Sequence, residues 1–112
     1  MIVDDSATFR GAVRLVLEAG GFAVIGEAAD GRQALTEVAR LAPDIVLLDI
    51  QLPDFDGFTV AERLAATPPS PTVVLVSSRD SVTYGDRVLR AHAAGFLPKW
   101  EVTGATLADL LG

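Results

Sequence analysis

The sequence predicts an α/β fold, a (βα)5 three-layer sandwich with a parallel five-stranded sheet between two layers of helices. Three observations predict it. Five short apolar stretches alternate with amphipathic segments along the chain. The third and fourth stretches carry no polar alternation, as expected of parallel strands buried on both faces. Half of the 112 residues are hydrophobic, enough for one real core.

The strand stretches are residues 1–3, 22–25, 45–48, 72–76 and 95–97. In the first helical segment Phe9, Val13, Val16 and Leu17 share a face, with Arg10, Arg14 and Glu18 turned outward. Gly20 and Gly21 should end it. Asp30 can cap a second helix carrying Leu35, Val38 and Leu41, which stops before Pro43. A third helix is expected over 58–66, bounded by Pro68 and Pro69, a fourth over 82–94 and a fifth over 104–112. No repeat, low-complexity tract or linker interrupts the pattern, so residues 1–112 read as a single domain. Strand one reads as clipped at Met1.

Composition excludes several classes of function. There is no cysteine, hence no disulfide framework, thiol nucleophile or cysteine-bound metal, and one histidine makes a transition-metal site improbable. No apolar run approaches a membrane span, so a cytoplasmic location and no membrane contact are expected. The formal charge is −6 and the arginines are scattered, which argues against nucleic-acid binding by this domain alone. Lys99 is the only lysine.

In an open parallel α/β sheet, ligands bind outside the carboxyl ends of the strands. The polar residues at those ends are Asp4 and Asp5 after strand one, Asp49 after strand three, Ser77 and Ser78 after strand four, and Lys99 after strand five. Clustered carboxylates repel unless a cation compensates them. Oxygen ligands without histidine or cysteine select a hard ion, Mg²⁺ first. A carboxylate can itself accept a phosphoryl group, and Mg²⁺, Lys99 and Ser77 would then meet the added charge. Each residue alone has a plainer explanation: Asp4 or Asp5 as a helix cap, Ser77 as a strand end, Lys99 as solvated surface. Asp49 is harder to explain that way, because core residues flank its charge.

Taken together, these pieces resemble the receiver domain of bacterial two-component response regulators over essentially the whole chain. The matching pieces are the Asp4–Asp5 pair, the run from Asp49 through Pro53 to Gly57, the apolar strand ending in Ser77, and the run from Gly95 through Phe96 to Lys99. The resemblance implies a flavodoxin-like fold with strand order 2-1-3-4-5. It implies Asp49 as phosphoacceptor, with Asp5, Asp49 and the Gln51 backbone carbonyl ligating Mg²⁺ and Asp4 supporting the metal through water. Ser77 would be the switch hydroxyl, Lys99 the partner of the phosphoryl group, and Phe96 the switch aromatic. Gln51 and Arg79 would tune the lifetime of the acyl phosphate. The implied partners are a sensor histidine kinase, a second copy bound through helix four, strand five and helix five, and a DNA-binding output domain outside this chain. The chain would be a signalling switch and not an enzyme, catalysing only its own phosphorylation and dephosphorylation.

The sequence departs from the family pattern where Trp100, in place of proline, follows Lys99; without proline a cis bond there is not expected. Other readings fare worse. No Gly-x-Ser-x-Gly elbow or phosphate-binding glycine loop is present, and His92 lies away from the strand edge, on the fourth helical segment. A calcium loop around Asp54 and Asp56 would have Arg63 in its twelfth position and Leu52 in its first. An aspartate-nucleophile phosphatase would need an acid–base carboxylate where Gln51 stands. A degenerate receiver, an interaction module never phosphorylated, is opposed by the intact acidic set and Lys99.

Overall fold

The computed structural model describes residues 1–79 and 81–112. Its elements are β1 (Ile2–Val3), α1 (Ala7–Ala19), β2 (Glu27–Ala28), α2 (Gly31–Leu41), β3 (Ile45–Asp49), α3 (Gly57–Ala66), β4 (Thr72–Ser77), α4 (Asp86–Arg90), β5 (Gly95–Pro98) and α5 (Gly104–Leu111). The five strands form one sheet in the order β2-β1-β3-β4-β5, and every pairing is parallel. Both the fold class and the strand order expected from the sequence are present.

Successive strand residues point to opposite faces, and both faces are covered, which explains why Ile45–Leu48 of β3 and Val73–Val76 of β4 are all apolar. Val46, Leu48, Val73 and Leu75 pack with Ala34 and Val38 of α2 and Val60, Ala61 and Leu64 of α3. Leu47, Val74 and Val76 pack on the other face with Val13 and Leu17 of α1 and Leu107 of α5. Side-chain caps start four of the five α-helices: Ser6 accepts from the Phe9 amide, Asp30 from Gln33, Asp56 from Thr59, and Thr103 from Thr106 in a reciprocal capping box.

Two sequence expectations need correction. The second strand is not at 22–25 but at Glu27–Ala28. Ile2 pairs with Glu27 and Val3 with Ala28, so residues 22–25 run past the start of the ladder and have no strand partner there. Phe22 and Val24 still pack on the core while Ala23 and Ile25 face outward, so the hydrophobic pattern is real without the pairing. Glu27 is fixed by Arg10 at 2.9 Å and Arg14 at 2.8 Å, both on α1.

The fourth helix is far shorter than 82–94. A 3-10 turn at Ser81–Thr83 precedes it, Gly85 takes a positive φ of 55°, and α4 covers only Asp86–Arg90. None of its residues is buried, and Val82 and Leu89 are more than four-fifths exposed. A helix without a buried apolar face has little to hold it together. His92 therefore lies beyond α4, exposed between the partly buried Ala91 and Ala93.

Gly57 opens α3 where that helix meets the end of β3. A Cβ there would lie 2.5 Å from the Asp49 carbonyl oxygen and 2.7 Å from Ile50 Cα, both backbone atoms that cannot turn aside. At Gly11, on the exposed face of α1, a Cβ would meet nothing within 4 Å. In urea unfolding, Gly57→Ala should therefore lose about 1–3 kcal/mol, whereas Gly11→Ala should gain about 0.5–1 kcal/mol from helix propensity. Equal effects at the two glycines would contradict the close approach at Gly57.

Candidate functional site

Because all five strands are parallel, their carboxyl ends lie along one edge. The order reverses between β1 and β3, which places the residues after these strands at the switch point. Val3 pairs with Leu48, so the next residues, Asp4 and Asp49, emerge side by side. Asp49 pairs with Val76, one residue before Ser77, and Ser77 pairs with Pro98, one residue before Lys99. The register alone thus brings four chemical groups to one corner.

The side chains complete the gathering. One carboxylate oxygen from each of Asp4, Asp5 and Asp49 lies within 4.8 Å of the other two. Asp4 and Asp49 are buried, and Asp5 is exposed at the mouth. The Lys99 ammonium sits 2.6 Å from Asp4 Oδ2 and 3.3 Å from Asp49 Oδ2. It also lies 4.5 Å above the centre of the Phe9 ring. Asp4 Oδ1 accepts the Ser6 amide at 2.8 Å, and Asp49 Oδ1 accepts the Gln51 amide at 3.2 Å. Asp4 Oδ2 is buried and, apart from the Lys99 ion pair, has no hydrogen-bond partner among the described residues.

Three carboxylates facing one ammonium leave the pocket electron-rich. Burial, then the neighbouring Asp4 charge, push the Asp49 carboxyl up to about 6, against the opposing pull of Lys99 and the Gln51 amide. Burial works to lower the Lys99 pKa, but the two adjacent carboxylates outweigh it and hold the ammonium above its usual range.

The remaining sequence candidates sit close by. Ser77 is fully buried; its Oγ accepts the Arg79 amide at 3.0 Å and shares a 2.7 Å hydrogen bond with the Tyr84 hydroxyl. Phe96 is half-buried against the α2–α3 side of the core. The Gln51 and Arg79 side chains are exposed. Trp100 is 65% exposed in a 3-10 turn at Lys99–Glu101, and the peptide bond after Lys99 is trans.

Three contributors escape a reading of the sequence alone. Arg10 donates to the Asp4 backbone carbonyl at 2.6 Å and fixes the turn after β1. Asp54 accepts the amides of Gly31 and Arg32 at 2.7 and 2.9 Å, which fastens the loop after β3 to the start of α2. Tyr84 reaches Ser77 from seven residues downstream. Each acts through a contact between separate elements; its one sequence signal is residue type, an arginine on a helix face, an acid in a loop, and the chain's single tyrosine.

A family model for the response regulator receiver domain matches residues 1–110. The chain is 45% identical over 105 residues to protein-glutamate methylesterase/protein-glutamine glutaminase 6 of Anaeromyxobacter dehalogenans, covering 93% of this chain and 30% of that protein. It is 32% identical over 112 residues to the response regulator GacA of Pseudomonas viridiflava, covering 99% and 50%. The chain thus spans half or less of the length of these relatives. In structure it is similar to the signal receiver domain of NarL from Mycobacterium tuberculosis, with a TM-score of 0.85, 34% identity, and coverage of 99% and 94%.

The elevated Asp49 pKa has a consequence for metal-free stability. A carboxyl raised in the folded state binds its proton more tightly there than in the unfolded chain. The Asp49 contribution to stability should therefore fall as pH rises from about 4 to about 6 and stay flat above. Asp49→Asn removes that titration. In EDTA at pH 7 it should be more stable than the wild type by about 1–2 kcal/mol, a difference that closes near pH 4. Urea midpoints across this range measure it, and a less stable Asn variant at pH 7 would contradict the assigned electrostatics.

Proposed function

The chain belongs to the response regulator receiver domain family, and from that footing we propose that Asp49 accepts a phosphoryl group and thereby switches the surface of the domain. The single observation that supports this reading is the gathering of Asp4, Asp5 and Asp49 around the lone lysine. Three carboxylates against one ammonium leave a formal charge of −2, which a divalent cation would neutralise, and Asp4 Oδ2 is a buried acceptor met only by the Lys99 ammonium among the described residues. The all-oxygen donor set fits Mg²⁺. Asp5, Asp49 and the Gln51 carbonyl would hold it directly and Asp4 through water. When bound, it supplies charge neutralisation for the phosphoryl oxygens.

The chain's own residues do the rest. Asp49 attacks in line the phosphorus of a phosphohistidine on a sensor histidine kinase. The P–N bond breaks as the P–O bond forms, and the freed imidazole takes up a proton. Lys99, already lodged between Asp4 and Asp49, turns to the new phosphoryl oxygens. Ser77 swings its hydroxyl to the same group, and Phe96 repacks into the space this opens. The face built by α4, β5 and α5 then binds an output domain, such as a DNA-binding one, or a second copy. Water hydrolyses the acyl phosphate and resets the switch, with the exposed Gln51 and Arg79 side chains setting the rate. On this reading residues 1–112 are a single cytoplasmic receiver. Its catalysis is confined to its own acyl phosphate, and it does not bind nucleic acid by itself.

The test is transfer of label from radioactive acetyl phosphate. The wild type should become labelled in Mg²⁺ and lose more than about tenfold of that labelling in EDTA. Asp49→Asn should take none. Undiminished labelling of that variant would remove Asp49 from its role. Labelling that persists in EDTA would remove the metal.

A further inference from the structure

We infer that Tyr84 is a latch on the Ser77 hydroxyl, a positioning residue that must let go before Ser77 can reach a phosphoryl group on Asp49. This rests on the receiver reading of Asp49 and Ser77, but it assigns a role to a residue that reading does not use.

The geometry is specific. Ser77 Oγ is completely buried and already has two partners, the Arg79 amide at 3.0 Å and the Tyr84 hydroxyl at 2.7 Å. A serine hydroxyl has one proton and two lone pairs. If Ser77 donates to Tyr84, the proton needed for a phosphoryl oxygen is already engaged. If Tyr84 donates instead, both acceptor positions are filled and Oγ is held on the Tyr84 side. In either case a move of Oγ toward Asp49 breaks the 2.7 Å bond.

The Tyr84 ring is itself held. It meets Phe58 of α3 edge-on, with centroids 5.7 Å apart, and Phe96 of β5 at 6.4 Å. The hydroxyl can therefore follow or withdraw from Ser77 only as the ring moves against these two neighbours. Phe96 belongs to the same row, so its repacking when the switch turns would change what the Tyr84 ring rests on. The row also leads outward. The Tyr84 carbonyl accepts the Arg87 amide at 3.2 Å in the first turn of α4, and Arg87 lies over the Phe58 ring at 4.3 Å while pairing with Asp56 at 2.9 Å. Next to Tyr84, Gly85 has a positive φ and open space around it, which gives the segment room to shift. Release of the latch would thus be transmitted to α4 through covalent continuity and one stacked arginine.

Beryllofluoride, which binds a carboxylate as a phosphoryl mimic, tests this with the protein as it is. Affinity in Mg²⁺ would be measured by calorimetry, with Trp100 fluorescence alongside, for the wild type, Tyr84→Phe, Ser77→Ala and the double variant. Phenylalanine keeps the ring and removes only the hydroxyl. Tyr84→Phe should bind about 3- to 10-fold more tightly, the size of one net hydrogen bond no longer lost on switching. In the Ser77→Ala background the same change should alter affinity by less than about 2-fold. Because Tyr84 is the only tyrosine, its ¹³Cζ resonance is a second readout needing no substitution there. It should shift when beryllofluoride binds the wild type, and in the same direction on Ser77→Ala alone. Unchanged or weaker binding by Tyr84→Phe, equal tightening without Ser77, or a motionless tyrosine resonance would each overturn the latch. A wild type that binds no beryllofluoride in Mg²⁺ would instead overturn the receiver reading beneath it.

Discussion

The structure depends on one ammonium group placed between two buried carboxylates. Lys99 contacts Asp4 at 2.6 Å and Asp49 at 3.3 Å, and without it those two charges would be stranded in the core with only amide donors for company. Losing one partner of a buried ion pair is far more damaging than the pair is stabilising, because the survivor keeps its desolvation cost. The path of the chain around the site follows from this. β5 must end where its next residue reaches across β4 to β3, and α1 must begin where Phe9 can lie beneath the amine. A pocket that needs its own lysine to exist is also one in which an added dianionic group finds a cation already waiting.

Around this centre the fold separates rigid from yielding parts. β3 and β4 are buried along nearly their whole lengths, and the backbones of Asp49 and Ser77 are anchored at their ends. α4, by contrast, has no buried residue and is linked to the site mainly through the row Phe58–Tyr84–Phe96 and the Arg87–Asp56 pair. Elements with few buried contacts are those that respond to small changes in free energy. A change in bonding at Ser77 is therefore felt at the weakly held helix before it is felt in the sheet.

Much of this is legible in the sequence, and the rest is not for identifiable reasons. The β3 and β4 stretches announce themselves because burial on both faces removes polar alternation. The acidic pair, Asp49, Ser77 and Lys99 can be picked out because strand ends in a parallel sheet share an edge. Residues 22–25 mislead because they carry a genuine inward–outward pattern, while the strand itself is set by which residues Ile2 and Val3 find opposite them. The fourth helix falls short of its pattern because periodicity does not reveal whether anything lies beneath it. The roles of Tyr84, Arg10 and Asp54 are contacts between distant elements, and no local pattern encodes such partners.

The Asp54 contact has a consequence for the modularity of this fold. The turn that carries Gln51 toward α3 is fastened by its Asp54 carboxylate to two amides at the start of α2, 23 and 22 residues earlier in the chain. The shape of that turn is thus written partly in a different stretch of sequence. Exchanging the turn between relatives, as one would swap a cassette, would import half of a two-part joint, and the opening residues of α2 would have to travel with it for the acidic corner to keep its form.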